Sequence, residues 1–358
     1  MNRRKFLKGA GAAVAVSTVF SPYSFAQNRN VRWRLASSFP KSLDTIFGGA
    51  DVIADRVNKM SGGAFQIRIF EAGELVPGTQ VLDAVQAGTV ECGHSAGYYY
   101  VGKEATLGFA TAVPFGLTAD QQNAWMYHGG GLDLLRGVYD KFGIVQFPAG
   151  NTGTQMGGWF KREVKTAADL KGLKMRIPGI GGQLMARLGV NVQLLPGGEV
   201  YLALDRGAID AAEWVGPYDD EKLGLHKAAK FYYYPGFWEP SATLDLMVNK
   251  REYERLPAEF REMLATAAAE ANMSMLAEYN AKNQAALQRL VKGGTQLRRF
   301  SNDIMNAGRK EMDALHAENA AKNADYRRVY AAFQSFGKNV RAWHNTAQQT
   351  YNNYANTK

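Results

Sequence analysis

Twice along this chain, short alternating runs are separated by helix-patterned stretches, and that order restricts the fold more than any other feature. Val31–Ser37, Phe65–Phe70 and residues 90–95 read as strands. Between them lies a helix capped by Ser42 or Asp44 and running to Met60, with Ile46, Ala50, Ile53 and Val57 on one face. A second helix spans 79–87, and Gly88 ends it. Strand–helix–strand–helix–strand predicts parallel strands joined by right-handed crossovers. The same logic returns with strands at 173–178, 191–195 and 208–214 and helices at 181–188 and 199–205. Two such units predict an α/β protein of two lobes.

The connections predict a hinge. Runs at 144–149 and 156–161 lead out of the first lobe, with Gly150-Asn151-Thr152-Gly153 between them. A strand at 244–249 brings the chain back. A chain that leaves a domain and returns has at least two crossing segments, the geometry of a hinge. A helix opened by Pro257 and running to about 291 is roughly 50 Å long at 1.5 Å per residue, long enough to lie across both lobes. Residues 295–300 read as an edge strand and 303–323 as a further helix. The last helix, from about 325, carries an amphipathic aromatic stripe: Tyr326, Val329, Tyr330, Phe333, Phe336, Val340, Trp343, Ala347, Tyr351 and Tyr354. That stripe either docks on the chain's own body or meets a second copy. The expected division is 27–150 with 242–300 as domain I, 151–241 as domain II, and 301–358 as C-terminal helices.

Residues 1–26 read as an export signal. Arg3-Arg4 precedes an apolar stretch from Ala10 to Phe20, and Ser24-Phe25-Ala26 offers small residues for cleavage. The stretch is too short for a bilayer span. The expectation is a periplasmic protein exported by the twin-arginine route. The net charge of +9 includes four basic residues of this segment, which leaves +5 on the remainder. With no dense Lys/Arg run, nucleic acid is not an expected partner. Cys92 is the single cysteine, so an internal disulfide and a cysteine-rich metal centre are both excluded.

Hydrolase and nucleotide motifs are missing: no Gly-x-Ser-x-Gly, no His-Glu-x-x-His, no phosphate-binding loop, and no Gly-x-Gly-x-x-Gly after the first strand. The five histidines are scattered. What remains is a set of polar groups near predicted strand ends: Gln155, Arg176, Glu213 and Glu239, with Trp214 and Trp238 adjoining. An arginine at a strand's end is well placed to hold a carboxylate by two parallel hydrogen bonds. Glu213, between Ala212 and Trp214, is a carboxylate in apolar company and needs a cation or donors. Tyr98-Tyr99-Tyr100 leaves the third strand at its carboxyl end, where open α/β sheets bind ligands.

These residues carry a resemblance. The twin-arginine run, Glu74-Leu75-Val76-Pro77-Gly78, the segment Asp169 to Pro178, Asp210 to Pro217, and Gly236-Phe237-Trp238-Glu239-Pro240 together are similar to solute receptors of tripartite ATP-independent periplasmic (TRAP) transporters. They resemble most the subgroup that binds small 2-oxo or 2-hydroxy monocarboxylates with a metal ion. The resemblance implies that Arg176 holds the substrate carboxylate and that Gln155 contacts substrate and metal. It implies that Glu213, Glu239 and the Trp214 carbonyl bind the ion, and that Tyr98, Tyr99 and Tyr100 close the site. The tyrosine loop has no second arginine, which disfavours dicarboxylates. An all-oxygen ligand set selects a hard cation, Na⁺ or Ca²⁺. Two glutamates and a ligand carboxylate against one arginine leave a net charge that a divalent ion would neutralise, but the subgroup includes users of both ions. The implied partners are the acid, the TRAP membrane subunits and, through the C-terminal helix, a second copy. Two other readings stay open at this point: a periplasmic metal-dependent hydrolase with Glu213 as base, and a sensory binding protein outside transport.

Overall fold

In a computed structural model the structure describes residues 30–357, so the expected signal segment lies outside the described residues. The first sheet contains β1 (Val31–Ser37), β2 (Phe65–Phe70), β3 (Cys92–Ser95), β4 (Ile144–Asn151) and β10 (Thr243–Asn249), in the order β2-β1-β3-β10-β4. The second contains β5 (Trp159–Phe160), β6 (Lys174–Arg176), β7 (Asn191–Gln193), β8 (Ala211–Ala212), β9 (Phe231–Tyr234) and β11 (Gln296–Arg299), in the order β11-β9-β5-β8-β6-β7. Strands β1, β2 and β3 are parallel, as their helical crossovers require. Each sheet also takes one strand the other way. β10 is antiparallel to β3 and β4, and β5 is antiparallel to β8 and β9. These two strands follow the crossings, so each enters its sheet from the end facing the other lobe.

Two expectations are corrected here, and one left open is divided. Residues 296–299 pair in parallel with β9 and so sit in the second sheet, not with the first lobe. The edge position beside β9 was open, and the long helix delivers the chain to it. The helix Asp44–Met60 is capped by Leu43, without a side-chain cap bond, so neither Ser42 nor Asp44 caps it. Asp44 is drawn off by partners in the second lobe. Finally, the C-terminal stripe divides. Tyr326, Val329 and Phe333 are buried against Phe109 and Trp125, whereas Trp343, Tyr351 and Tyr354 are 67%, 69% and 83% exposed.

The long helix, Ala258–Lys292, packs against Asp44–Met60 and β4 of the first lobe and against Pro217–Leu223 of the second. Ala267, Ala268 and Ala271 bring it close to β4, and Tyr279 reaches into the second lobe. The crossing segments are tied to each other: Thr152 N–H donates to the Ala242 carbonyl at 3.0 Å, and Ala242 N–H donates to Thr152 Oγ1 at 3.2 Å. No helix among the described residues is long and apolar enough to cross a membrane.

Candidate ligand and metal site

Register places the first two groups. Arg176 ends β6 and pairs with Ala212, the last residue of β8, so Glu213 emerges beside Arg176 at the carboxyl ends of two parallel strands. Glu213 N–H donates to the Arg176 carbonyl at 3.0 Å. In return, Arg176 Nη1 donates to the Glu213 carbonyl at 2.6 Å and to Glu213 Oε2 at 3.1 Å, while Nε donates to the Leu195 carbonyl at 3.2 Å. Among the described residues no hydrogen bond uses Nη2. The guanidinium lies 4.9 Å from the Trp214 ring, a cation–π contact. Gly197 makes room for that ring, because a Cβ there would stand 2.4 Å from it.

The crossing segments bring the rest. Glu239 lies in the returning segment and accepts from the Tyr98 hydroxyl of the first lobe at 3.5 Å. Gln155 lies in the outgoing one, and its Nε2 donates to Thr152 Oγ1 at 2.9 Å, which leaves its oxygen free. Gln155, Arg176, Glu213 and Glu239 are all buried. Three oxygens, Gln155 Oε1, Glu213 Oε1 and Glu239 Oε1, are buried with no hydrogen-bond partner among the described residues. Buried acceptors are rarely left so, because each unmet group costs about 1–3 kcal/mol. Burial pushes both glutamate carboxyls up; mutual repulsion raises Glu213 further, and Arg176 offsets part of the rise in each. An added positive charge would favour the ionised form of both. The donor set is oxygen throughout, which fits a hard cation and not zinc or copper. No group of three His, Cys, Asp or Glu gathers among the described residues, and the third side-chain oxygen is an amide's.

The three tyrosines part company. Tyr98 and Tyr99 line a small cavity of about 10 Å³ with Gln155, Trp214, Phe39 and Leu244. Tyr100 does not reach it. Its hydroxyl bonds Ser95 Oγ at 2.8 Å and accepts from Leu82 N–H at 3.1 Å, inside the first lobe. The segment Gly97–Tyr100 is a 3₁₀ turn, which fans successive side chains by about 120° and sends the third inward. Tyr100 is therefore removed from the expected lining.

Residues 36–323 match the DctP family model, bacterial extracellular solute-binding protein, family 7. The chain belongs to this family. Its similarity extends over full length to the monocarboxylate 2-oxoacid-binding periplasmic protein of Nostoc, 56% identical with all of both chains covered. Among solved structures, a TRAP transporter solute-binding protein of Bordetella bronchiseptica, with copurified calcium and picolinate, superposes with a TM-score of 0.90. It is 47% identical and covers 91% of this chain and 97% of its own. A TRAP protein of Pseudoalteromonas atlantica with bound sodium and pyruvate gives a TM-score of 0.88 at 41% identity, covering 90% and 98%. This DctP protein is thus a periplasmic TRAP solute receptor and not an enzyme.

Within the DctP fold, several supporting groups escaped the sequence reading. Thr152 orients the Gln155 amide, and the Leu195 carbonyl takes one edge of Arg176. Asp219 and Asp220 stand behind Trp214. The carbonyl carries no signal in sequence, and nothing along the chain shows what the two aspartates face.

Proposed function

We propose that this TRAP receptor binds a small 2-oxo or 2-hydroxy monocarboxylate of the pyruvate, 2-oxobutyrate or lactate class together with Na⁺ or Ca²⁺. The observation that carries the reading is that three partnerless buried oxygens, on Gln155, Glu213 and Glu239, neighbour one another and one buried arginine. In this reading Arg176 holds the carboxylate through Nη2. Gln155, Glu213, Glu239 and the Trp214 carbonyl hold the cation, which supplies a positive centre for the acid's carboxylate and 2-oxygen to chelate. Tyr98 and Tyr99 exclude water from the first-lobe side. A set of polar groups this deeply buried, with one arginine, suits a short acid without a second charge. The names of the Nostoc and Pseudoalteromonas relatives support the substrate class.

The proposal extends to domain I and domain II closing as two bodies about the tied crossings, with the closed form delivered to the membrane subunits. It includes export by the twin-arginine route with removal of residues 1–26, and a homodimer through the exposed Trp343, Tyr351 and Tyr354. Calorimetry with pyruvate and with lactate, before and after treatment with chelator in sodium-free buffer, tests the core of it. Binding that needs a cation is expected; no binding in any cation condition rejects the reading.

A further inference from the structure

Two adjacent carboxylates lie behind Trp214, outside the ligand set described above. The helix Pro217–Leu223 carries Asp219 and Asp220 in its first turn, and both are buried. A buried carboxylate needs donors, and both find them on Trp214 or the peptide that follows it. Trp214 Nε1 donates to Asp219 Oδ2 at 3.3 Å, and the Tyr279 hydroxyl of the long helix donates to the same oxygen at 2.8 Å. Val215 N–H donates to Asp220 Oδ1 at 3.3 Å. The other oxygen, Asp220 Oδ2, accepts from Trp159 Nε1 at 2.9 Å and from the Tyr232 hydroxyl at 2.7 Å.

The bond to Val215 bears on the site through the planarity of the peptide. Val215 N–H and the Trp214 carbonyl belong to one trans unit and point in opposite directions. Holding the N–H on a carboxylate turns the carbonyl away from Asp220 and increases the negative charge on its oxygen. The indole is fixed separately, by Asp219, under the Arg176 guanidinium.

We propose that Asp219 and Asp220 are positioning residues of the receptor: Asp220 aims and polarises the Trp214 carbonyl toward the cation, and Asp219 holds the indole against Arg176. The claim rests on the cation reading given above. Outer residues of this kind change metal affinity by roughly 10- to 100-fold when replaced. Asp220→Asn is the informative variant. Its oxygen would stay with the two donors Trp159 and Tyr232, which turns the amide nitrogen toward Val215 N–H, donor against donor. Because the lost charge acts twice as strongly on a divalent ion, the loss for Ca²⁺ is expected to be about the square of the loss for Na⁺.

Trp214-Val215 is the only Trp–Val pair in the chain, so carbonyl-¹³C tryptophan with ¹⁵N valine gives a single correlated NMR signal from this peptide. In the full-length wild type, that carbonyl shift is expected to move when Ca²⁺ and pyruvate are added. Asp220→Asn is expected to shift the Val215 amide proton upfield and to weaken Ca²⁺-dependent pyruvate binding at least tenfold. Asp219→Asn is expected to weaken binding in the wild type and to add nothing on Trp214→Phe, which keeps the carbonyl and lacks the indole N–H. Wild-type binding with a stationary Trp214 carbonyl overturns the positioning role alone, even if Asp220→Asn does not fold. Equal losses from Asp219→Asn in both backgrounds overturn its half. A wild type that takes up neither Ca²⁺ nor pyruvate overturns this claim together with the cation reading.

Discussion

Lys222 Nζ lies 2.6 Å from Asp44 Oδ1, and this ion pair joins the two lobes. Asp44 opens the first helix after β1, and Lys222 lies near the end of the helix that follows Trp214. The Tyr218 hydroxyl donates to Asp44 Oδ2 at 3.0 Å, and Lys282 of the long helix stands 3.6 Å from that oxygen. Both ammonium groups lie over the Tyr218 ring, at 4.8 and 4.5 Å. The pair is partly exposed, so it is worth about 0.2–1 kcal/mol. Lys222→Ala is expected to weaken pyruvate affinity about two- to fivefold, and the difference should fade in concentrated choline chloride. Calorimetry at low and high salt checks it; a salt-independent difference would exclude an ionic latch.

Gly179 follows the Arg176 strand with φ 65°, and Tyr98 of the first lobe packs against it. A Cβ at this position would stand 2.7 Å from Tyr98 Cδ2. Gly179→Ala is therefore expected to fold yet resist closing, with pyruvate affinity reduced more than about tenfold by strain and collision together. Small-angle scattering should show no contraction at pyruvate concentrations that compact the wild type. Gly198→Ala, in open space without a positive φ, is the control and should behave as wild type.

Protons compete with the cation. Burial pushes the Glu213 and Glu239 carboxyls up, and the Glu239 charge raises Glu213 further, so without a cation they hold protons well above the usual carboxylate range. A cation must displace those protons, and its affinity is expected to rise with pH. Titrating Ca²⁺ with pyruvate in buffers of different ionisation enthalpy should reveal proton release, and chelator should reverse it. Equal affinity at pH 6 and pH 8 would contradict the shared protonation.

Stability has its own pH signature at His316. Burial pushes its imidazole down to about 4, while Nδ1 sits 2.8 Å from the Tyr326 hydroxyl. The unfolded chain protonates this residue below about 6.5 and the folded chain does not, so the unfolded state binds more protons between those values. Stability from this group is expected to fall by roughly 1.4 kcal/mol per pH unit as pH drops through that window. Asp245, pushed up to about 7, acts in the opposite sense, so the comparison needed is wild type against His316→Gln. Between pH 7 and pH 4 the variant should lose less stability than the wild type, or gain more, in thermal melts.

The last turns of the chain, Asn345–Gln349 and Thr350–Ala355, add no buried residue. Truncation after His344 is expected to leave pyruvate affinity unchanged and to convert a dimer to monomers by light scattering. A full-length chain already monomeric at high concentration would remove the dimer proposal.

The elements themselves were legible because their causes are local. Alternation marked β1 and β2, Gly and Pro marked their ends, and Pro257 marked the start of the long helix. Glu213 was legible as a buried carboxylate in need of a partner, because it stands among alanines and a tryptophan. Arg176 needed its family resemblance, since an arginine on a short strand is ordinarily a surface residue. By itself, then, the sequence determined two α/β units, a returning chain and the chemistry of four polar groups. Tertiary structure alone decided which way each side chain turned. Tyr98 faces Glu239 and Tyr100 faces Ser95, although they are two residues apart. Asp44 caps nothing and reaches Lys222, and residues 296–299 join the second sheet. The physical reason is the same each time: a backbone conformation follows from neighbours along the chain, whereas a hydrogen-bond or strand partner is supplied by residues tens to hundreds of positions away.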